Sequence, residues 1–220
     1  MKREEKQKIG ILGGTFDPVH LGHLTVARRV LSQFQLDRVL FIPAPAPPHK
    51  ERSLTPFVHR VAMLEAALEG EPGLHVSILE AERTSPSYTV ETLEELHRRL
   101  DPCKLFLVIG ADMFVEIKLW YRYEDLFHLA DLIVAARPGF SASSVAGQVA
   151  ALTGSFTFDA EQQLWQRSDG FRIYYLPDTD VAVSSSSIRQ KLAAGKVVQD
   201  ILPAAVKAYI HRHGLYGTPG

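Results

Sequence analysis

The chain has 220 residues, 46% of them hydrophobic, with 24 Lys plus Arg against 25 Asp plus Glu, which is enough for a substantial core and ordinary for a globular protein. Near-balanced charge argues against a nucleic-acid partner or an acidic disordered tail. A single cysteine excludes an intrachain disulfide and a thiolate metal cluster, and no apolar run reaches the roughly 18–20 residues of a membrane span.

In chain order, residues 1–8 read as a charged, flexible terminus with no secretory apolar segment behind it, which points to a cytoplasmic protein. The first apolar run is IGILGG (Ile9–Gly14), followed by a helical pattern, HLTVARRVLSQF, with Leu24, Ala27, Val30 and Leu31 on one side. RVLFIP (Arg38–Pro43) is the next strand, and the stiff, polyproline-like PAPAPPHK leaves it. PFVHRVAMLEAALEG has Pro56 at a helix start and Gly70 as its stop. LHVSIL (Leu74–Leu79), a helix over YTVETLEELHRRL, KLFLVIG (Lys104–Gly110), a helix over YEDLFHLA, LIVAAR (Leu132–Arg137) and RIYYL (Arg172–Leu176) continue the alternation. Cys103 reads as a small residue at a strand entrance. Residues 139–180 are less regular, with room for an extra helix, and read as an insertion.

Most of these strands are apolar throughout, as strands covered on both faces are. Their alternation with helices predicts right-handed crossovers and an α/β fold. The expected architecture is one domain over residues 1–220, a Rossmann-like doubly wound parallel sheet with a small C-terminal helical part.

In such sheets ligands bind beyond the carboxyl ends of the strands, and Gly13–Asp17 leaves such an end. Gly13 and Gly14 permit close approach of a ligand and positive φ. The next helix starts near His20 or Leu21, so its free amides and dipole favour an anion, and Thr15 adds a hydroxyl. His20 and His23 are three residues apart and share a helix face, with Gly22 leaving room for a bulky group. Two imidazoles at a helix tip suit a phosphate gaining charge in a transition state. On the residues alone, three other readings stay open. His20 can be a helix cap with His23 in the core. The pair can bind zinc, although two ligands fall short of a site. The glycines can belong to a dinucleotide-binding turn, although GILGGT lacks G-x-G-x-x-G spacing.

The whole string GGTFDPVHLGHL resembles the nucleotidyltransferase superfamily with the signature H-x-G-H, and within it the nicotinate-nucleotide adenylyltransferases. Later segments match that family in order as far as about Tyr216. The resemblance implies transfer of AMP from ATP to nicotinate mononucleotide in NAD biosynthesis, with Mg2+ accompanying ATP. It implies that His20, His23 and Arg189 are catalytic. It places ATP against Gly13, Gly14, Thr15 and Phe16, against Gly110 and Asp112 of VIGADMF, Arg137 of ARPG, and Ser185, Ser186 and Arg189 of VSSSSIRQKL. It places the acceptor against Thr15, His49 and Lys50 of PPHK, Ser85 and Tyr88 of SPSYTVETL, and Trp120 and Tyr121 of LWYRYEDL.

Without the resemblance each of these has a plainer job. The serines are caps and turn formers, Asp112 a helix cap, Trp120 a core residue, and His49, Lys50 and Arg189 solvated charges. Ala44 stands where the family often has asparagine, which bears on the choice of pyridine nucleotide; Ser186 stands where threonine is usual and keeps a hydroxyl. The rival readings are nicotinamide mononucleotide or phosphopantetheine as acceptor, and a nucleotide-binding module without turnover. No protein-held metal, nucleic-acid or membrane partner is expected, and a homo-oligomer is compatible with the sequence.

Overall fold

The computed structural model describes residues 6–45, 54–83, 86–179, 183–198 and 200–218. The strands are β1 (Gln7–Gly14), β2 (Arg38–Pro43), β3 (Leu74–Val76), β4 (Cys103–Gly110), β5 (Asp131–Ala135), β6 (Phe156–Asp159), β7 (Leu164–Arg167) and β8 (Arg172–Leu176). The helices are α1 (Leu21–Gln33), α2 (Phe57–Leu68), α3 (Thr89–Leu100), α4 (Ala111–Phe114), α5 (Leu126–Leu129), α6 (Ala142–Ala150), α7 (Ser185–Ala193) and α8 (Ala204–Arg212). All eight strands form one sheet in the order β3-β2-β1-β4-β5-β8-β7-β6. Pairing is parallel from β3 through to β8 and antiparallel for β8 with β7 and β7 with β6.

The continuous apolar runs follow from this sheet having a core on each face, because successive strand residues point to opposite sides. Ile9 and Ile11 of β1, Leu105, Leu107 and Ile109 of β4, and Leu132 and Val134 of β5 share one core with α3, α4, α5 and α6. Leu12, Phe106, Val108, Ile133 and Ala135 share the other with α1, α2, α7 and α8. The chain steps outward from β1 to β2 and β3, then returns to lay β4 against the other side of β1. That reversal opens a crevice beyond the carboxyl ends of β1 and β4, where doubly wound sheets bind ligands.

Several local expectations are refined. β1 starts at Gln7, inside the stretch read as flexible, and the Lys8 amide donates to Asp37 Oδ2 at 2.7 Å. Only Leu74–Val76 of LHVSIL is strand, and Leu79–Glu82 is a 3-10 turn. YEDLFHLA divides into a 3-10 turn, Tyr123–Asp125, and α5. Residues 139–180 hold the extra helix, α6, but also the β6–β7 hairpin that extends the sheet. The hairpin's strands are four residues each and half exposed, with Phe158 set against Trp165 near the edge, so their pattern carries little periodicity. Cys103 is buried as the first residue of β4, and burial followed by the nearby Asp101 raises its thiol pKa. Among the described residues no helix is long and apolar enough to cross a membrane.

Leu93 on α3 is fully buried in the core beneath β1 and β4. Leu93→Ala should lower the unfolding free energy by about 3 kcal/mol through lost burial and the cavity left behind, as read by urea denaturation.

Candidate active site

The turn after β1 is shaped by an unexpected residue. Phe16, not Gly13 or Gly14, takes the left-handed conformation, at φ 49°. The Phe16 ring is 2% exposed and packs edge-on to His23, with ring centroids 5.0 Å apart. It lies close under Gly14, where a Cβ would come within 3.1 Å of it. Phe16 therefore supports the turn from below, and what it offers a ligand is backbone. Gly13 has open space around it, as close approach of a ligand requires.

His20 is the N-cap of α1 and has extended backbone. Its amide donates to Nδ1 of His23 at 3.2 Å, and the two rings stack with centroids 3.7 Å apart. A Cβ on Gly22 would meet His20 Nδ1 at 3.0 Å and Val183 at 3.2 Å. The glycine thus makes room for the first imidazole rather than for a ligand. The helix tip is also less open than expected. The Leu21 amide is taken by the Ile201 carbonyl at 3.0 Å, and the His23 amide by the His20 carbonyl at 2.9 Å. Two of the helix's first amides are thus already spent, and the imidazoles add donors for an anion beside them.

Both imidazoles are held neutral. Burial first, and then the charge of Arg137, bring the His20 pKa down from 6.5 to about 4. Burial, His20 and Arg137 lower His23 well below 6.5. Because His23 Nδ1 accepts from the His20 amide, its one proton sits on Nε2.

Arg137, just beyond β5, and Asp112, at the start of α4, close the other side of the crevice. Arg137 Nε lies 3.8 Å from Asp112 Oδ1. A Cβ on Gly110 would fall 2.2 Å from that oxygen and 2.9 Å from Arg137 Nε, so only glycine fits at the end of β4. His23, Gly110 and Arg137 line one small cavity together with Leu12, Val26 and Ala135. Among the described residues His20 Nδ1, Asp112 Oδ1 and Arg137 Nε are buried without a hydrogen-bond partner, the last two facing each other as an ion pair. Buried polar atoms are normally hydrogen-bonded, so the Asp112–Arg137 pair beside this cavity keeps hydrogen-bonding capacity for a polar ligand.

The remaining expected residues divide into groups. Ser184 is the N-cap of α7, exchanging hydrogen bonds with Ser187. Ser185 Oγ donates to the Pro18 carbonyl at 2.9 Å. Arg189 donates to the Asp17 carbonyl at 2.7 Å and reaches Ser186 Oγ at 3.3 Å. These side chains tie α7 to the turn after β1. On the opposite flank, Tyr88 caps α3 and its ring lies 4.5 Å from that of Tyr121, which is 51% exposed. Trp120 is half-buried against the core beside them. Thr15 is half-buried in the turn itself. His49, Lys50 and Ser85 lie outside the described residues.

Three residues with polar roles here escaped the sequence reading: Asp17, Arg60 and Tyr216. Asp17 is 2% exposed and accepts from the Tyr216 hydroxyl at 2.6 Å. Arg60 is 1% exposed and, among the described residues, donates to backbone carbonyls. A signal for Arg60 was present: it shares the buried face of α2 with Met63, Leu64 and Ala67, and a cation in an apolar stripe needs partners.

A family profile described as cytidylyltransferase-like matches residues 11–191. A curated relative from Geobacter sulfurreducens, named "Probable nicotinate-nucleotide adenylyltransferase", is 41% identical over 216 residues, covering 97% of this chain and 100% of its own. One of the same name from Syntrophotalea carbinolica is 39% identical over 211 residues, covering 95% and 97%. Among solved structures, the Plasmodium falciparum nicotinic acid mononucleotide adenylyltransferase complexed with NaAD superposes with a TM-score of 0.74 at 18% identity, covering 96% of this chain and 97% of its own. The chain belongs to the cytidylyltransferase-like nucleotidyltransferases and, within them, to the nicotinate-nucleotide adenylyltransferase family of these relatives.

The neutral His20 has a measurable cost in acid. Unfolded, it takes up a proton near pH 6.5; folded, it does so only near pH 4. The unfolded state therefore binds more protons across that window, and stability falls as pH drops through it, by about 3 kcal/mol from this residue. His20→Asn should remove this residue's share of the slope between pH 6.5 and 4 and leave that of His23, as read from denaturation curves taken against pH.

Proposed function

We propose that the chain transfers AMP from ATP to nicotinate mononucleotide, forming deamido-NAD and pyrophosphate, and that it works in the cytoplasm. The single observation that carries this reading is that the carboxyl ends of the parallel strands bring the stacked His20 and His23 imidazoles together with an Arg137–Asp112 ion pair whose Nε and Oδ1 make no hydrogen bond among the described residues. A nucleoside triphosphate offers acceptors for the cation and the imidazoles, and a ribose offers hydroxyl donors for the carboxylate. The family membership supports the same substrates.

The step is a direct displacement. A phosphate oxygen of the mononucleotide forms a bond to the α-phosphorus, and the bond to pyrophosphate breaks in line with it. The attacking phosphate is already anionic, so no proton has to be removed and no strong base is needed. Catalysis then consists of positioning and charge stabilisation. His23, with its proton on Nε2, donates to a phosphate oxygen that gains charge, and His20 lies stacked behind it. Arg137 and Arg189 supply fixed positive charge; Arg189 approaches from α7 while anchored on the Asp17 carbonyl. On the far flank Trp120, Tyr121 and Tyr88 offer flat rings for the pyridine, while Thr15, His49, Lys50 and Ser85 serve the acceptor's polar groups.

The polar side chains described around the crevice are two imidazoles, Arg137 and a single carboxylate, Asp112, which fits Mg2+ brought in on the triphosphate's own oxygens and water rather than in a protein cage. Bound there, the ion would neutralise charge on the leaving phosphates.

The test is pyrophosphate release from ATP with nicotinate mononucleotide, nicotinamide mononucleotide and phosphopantetheine supplied in turn. Release with nicotinate mononucleotide should exceed that with the others by about tenfold or more. His23→Ala should reduce it by about 10²–10³ with the fold intact. ATP binding without release for any acceptor would support a binding module and overturn the proposal.

A further inference from the structure

We infer that Arg60 is a positioning residue that fixes the turn after β1 for the proposed adenylyl transfer. The inference rests on that reading. Arg60, on α2, heads the large side chains that are fully buried. Its Nη1 donates to the carbonyls of Thr15 at 2.7 Å and Ala44 at 2.8 Å, Nη2 to Pro45 at 3.1 Å, and Nε to Thr55 at 3.1 Å. Thr15 belongs to the turn that leads into His20 and His23. Ala44 and Pro45 follow β2, and Thr55 precedes α2, so these three bracket in sequence the residues that include His49 and Lys50. One planar guanidinium therefore ties the turn after β1 to the chain leaving β2 and to the chain entering α2.

A core position does not need a cation, since apolar side chains fill such a volume at lower desolvation cost. The guanidinium is matched instead to carbonyls of segments outside helix and sheet, which its rigid fork can hold in one arrangement. The same two segments are tied a second time. Asp17 Oδ2 accepts from the Thr55 amide at 3.4 Å, and Oδ1 from the Tyr216 hydroxyl at 2.6 Å. Burial and the bond to Asp17 raise the Tyr216 pKa and keep it a donor. Transfer between two bound substrates is sensitive to misplacement of about 1 Å, so a linker of this kind acts on turnover more than on either binding step.

The test is Arg60→Lys, which keeps the charge and loses the fork, with Tyr216→Phe, which removes one hydroxyl, as a second variant. For each, cooperative unfolding, binding of a non-hydrolysable ATP analogue, KM for both substrates and kcat per nucleotide-binding site are measured. Arg60→Lys should lower kcat about 10- to 100-fold with KM for ATP changed by less than about threefold. Tyr216→Phe should lower kcat about threefold or more in the same pattern, and it decides the matter if Arg60→Lys does not fold. A packing role alone would lower the melting temperature and leave turnover per folded site within about twofold of the parent; that result overturns the inference. A parent protein that shows no AMP transfer overturns the functional reading together with this one, whereas an active parent matched by its variants overturns this one alone.

Discussion

The amide of His20 donates to His23 Nδ1, and much of the crevice at the tip of α1 depends on that bond. It fixes the tautomer of His23, so that the ring nitrogen left to meet a ligand is a donor. It holds the two rings face to face, which Gly22 alone has the room to allow. Phe16 supports His23 from one side, and Arg137 keeps positive charge close enough to oppose protonation of either ring. The arrangement is costly: two buried imidazoles held neutral give up stability in acid. Such local expense is common where a site is preorganised for a charged transition state.

Around that pair the fold does two things. The reversal of strand order between β1 and β4 brings Gly13 and Gly110 to neighbouring strand ends, so a nucleotide can lie across both. Connections from distant parts of the chain then fix the turn after β1. Arg189 and Ser185 reach it from α7, Tyr216 from the last turn, and Arg60 from α2. A short irregular segment, Thr15–His20, is held as firmly as a regular element without being one.

Much of this was legible in the sequence, for identifiable reasons. Six parallel strands were readable because a two-faced sheet forces apolar residues at every position. The β6–β7 hairpin was not, since its strands are short, half exposed and antiparallel at an edge. The histidine pair stood out through the whole string GGTFDPVHLGHL, since imidazoles three apart beside glycine leave plainer readings open on their own. Asp17, Arg60 and Tyr216 did not stand out. Their partners are 38 to 199 residues away or are backbone carbonyls, and neither periodicity nor a short motif encodes such pairings. The positive φ was assigned to Gly13 and Gly14 on composition, whereas packing against His23 and Phe41 holds Phe16 there instead.

The central claim, that two neutral, stacked imidazoles await a nucleotide, is tested most directly by 15N NMR of the histidine rings at pH 7, without and with a non-hydrolysable ATP analogue. The account predicts neutral His20 and His23 in the free protein, His23 protonated on Nε2, and shifts of both rings on saturation with the analogue. Imidazolium signals for either residue in the free protein, or rings that do not respond to the bound analogue, would contradict it.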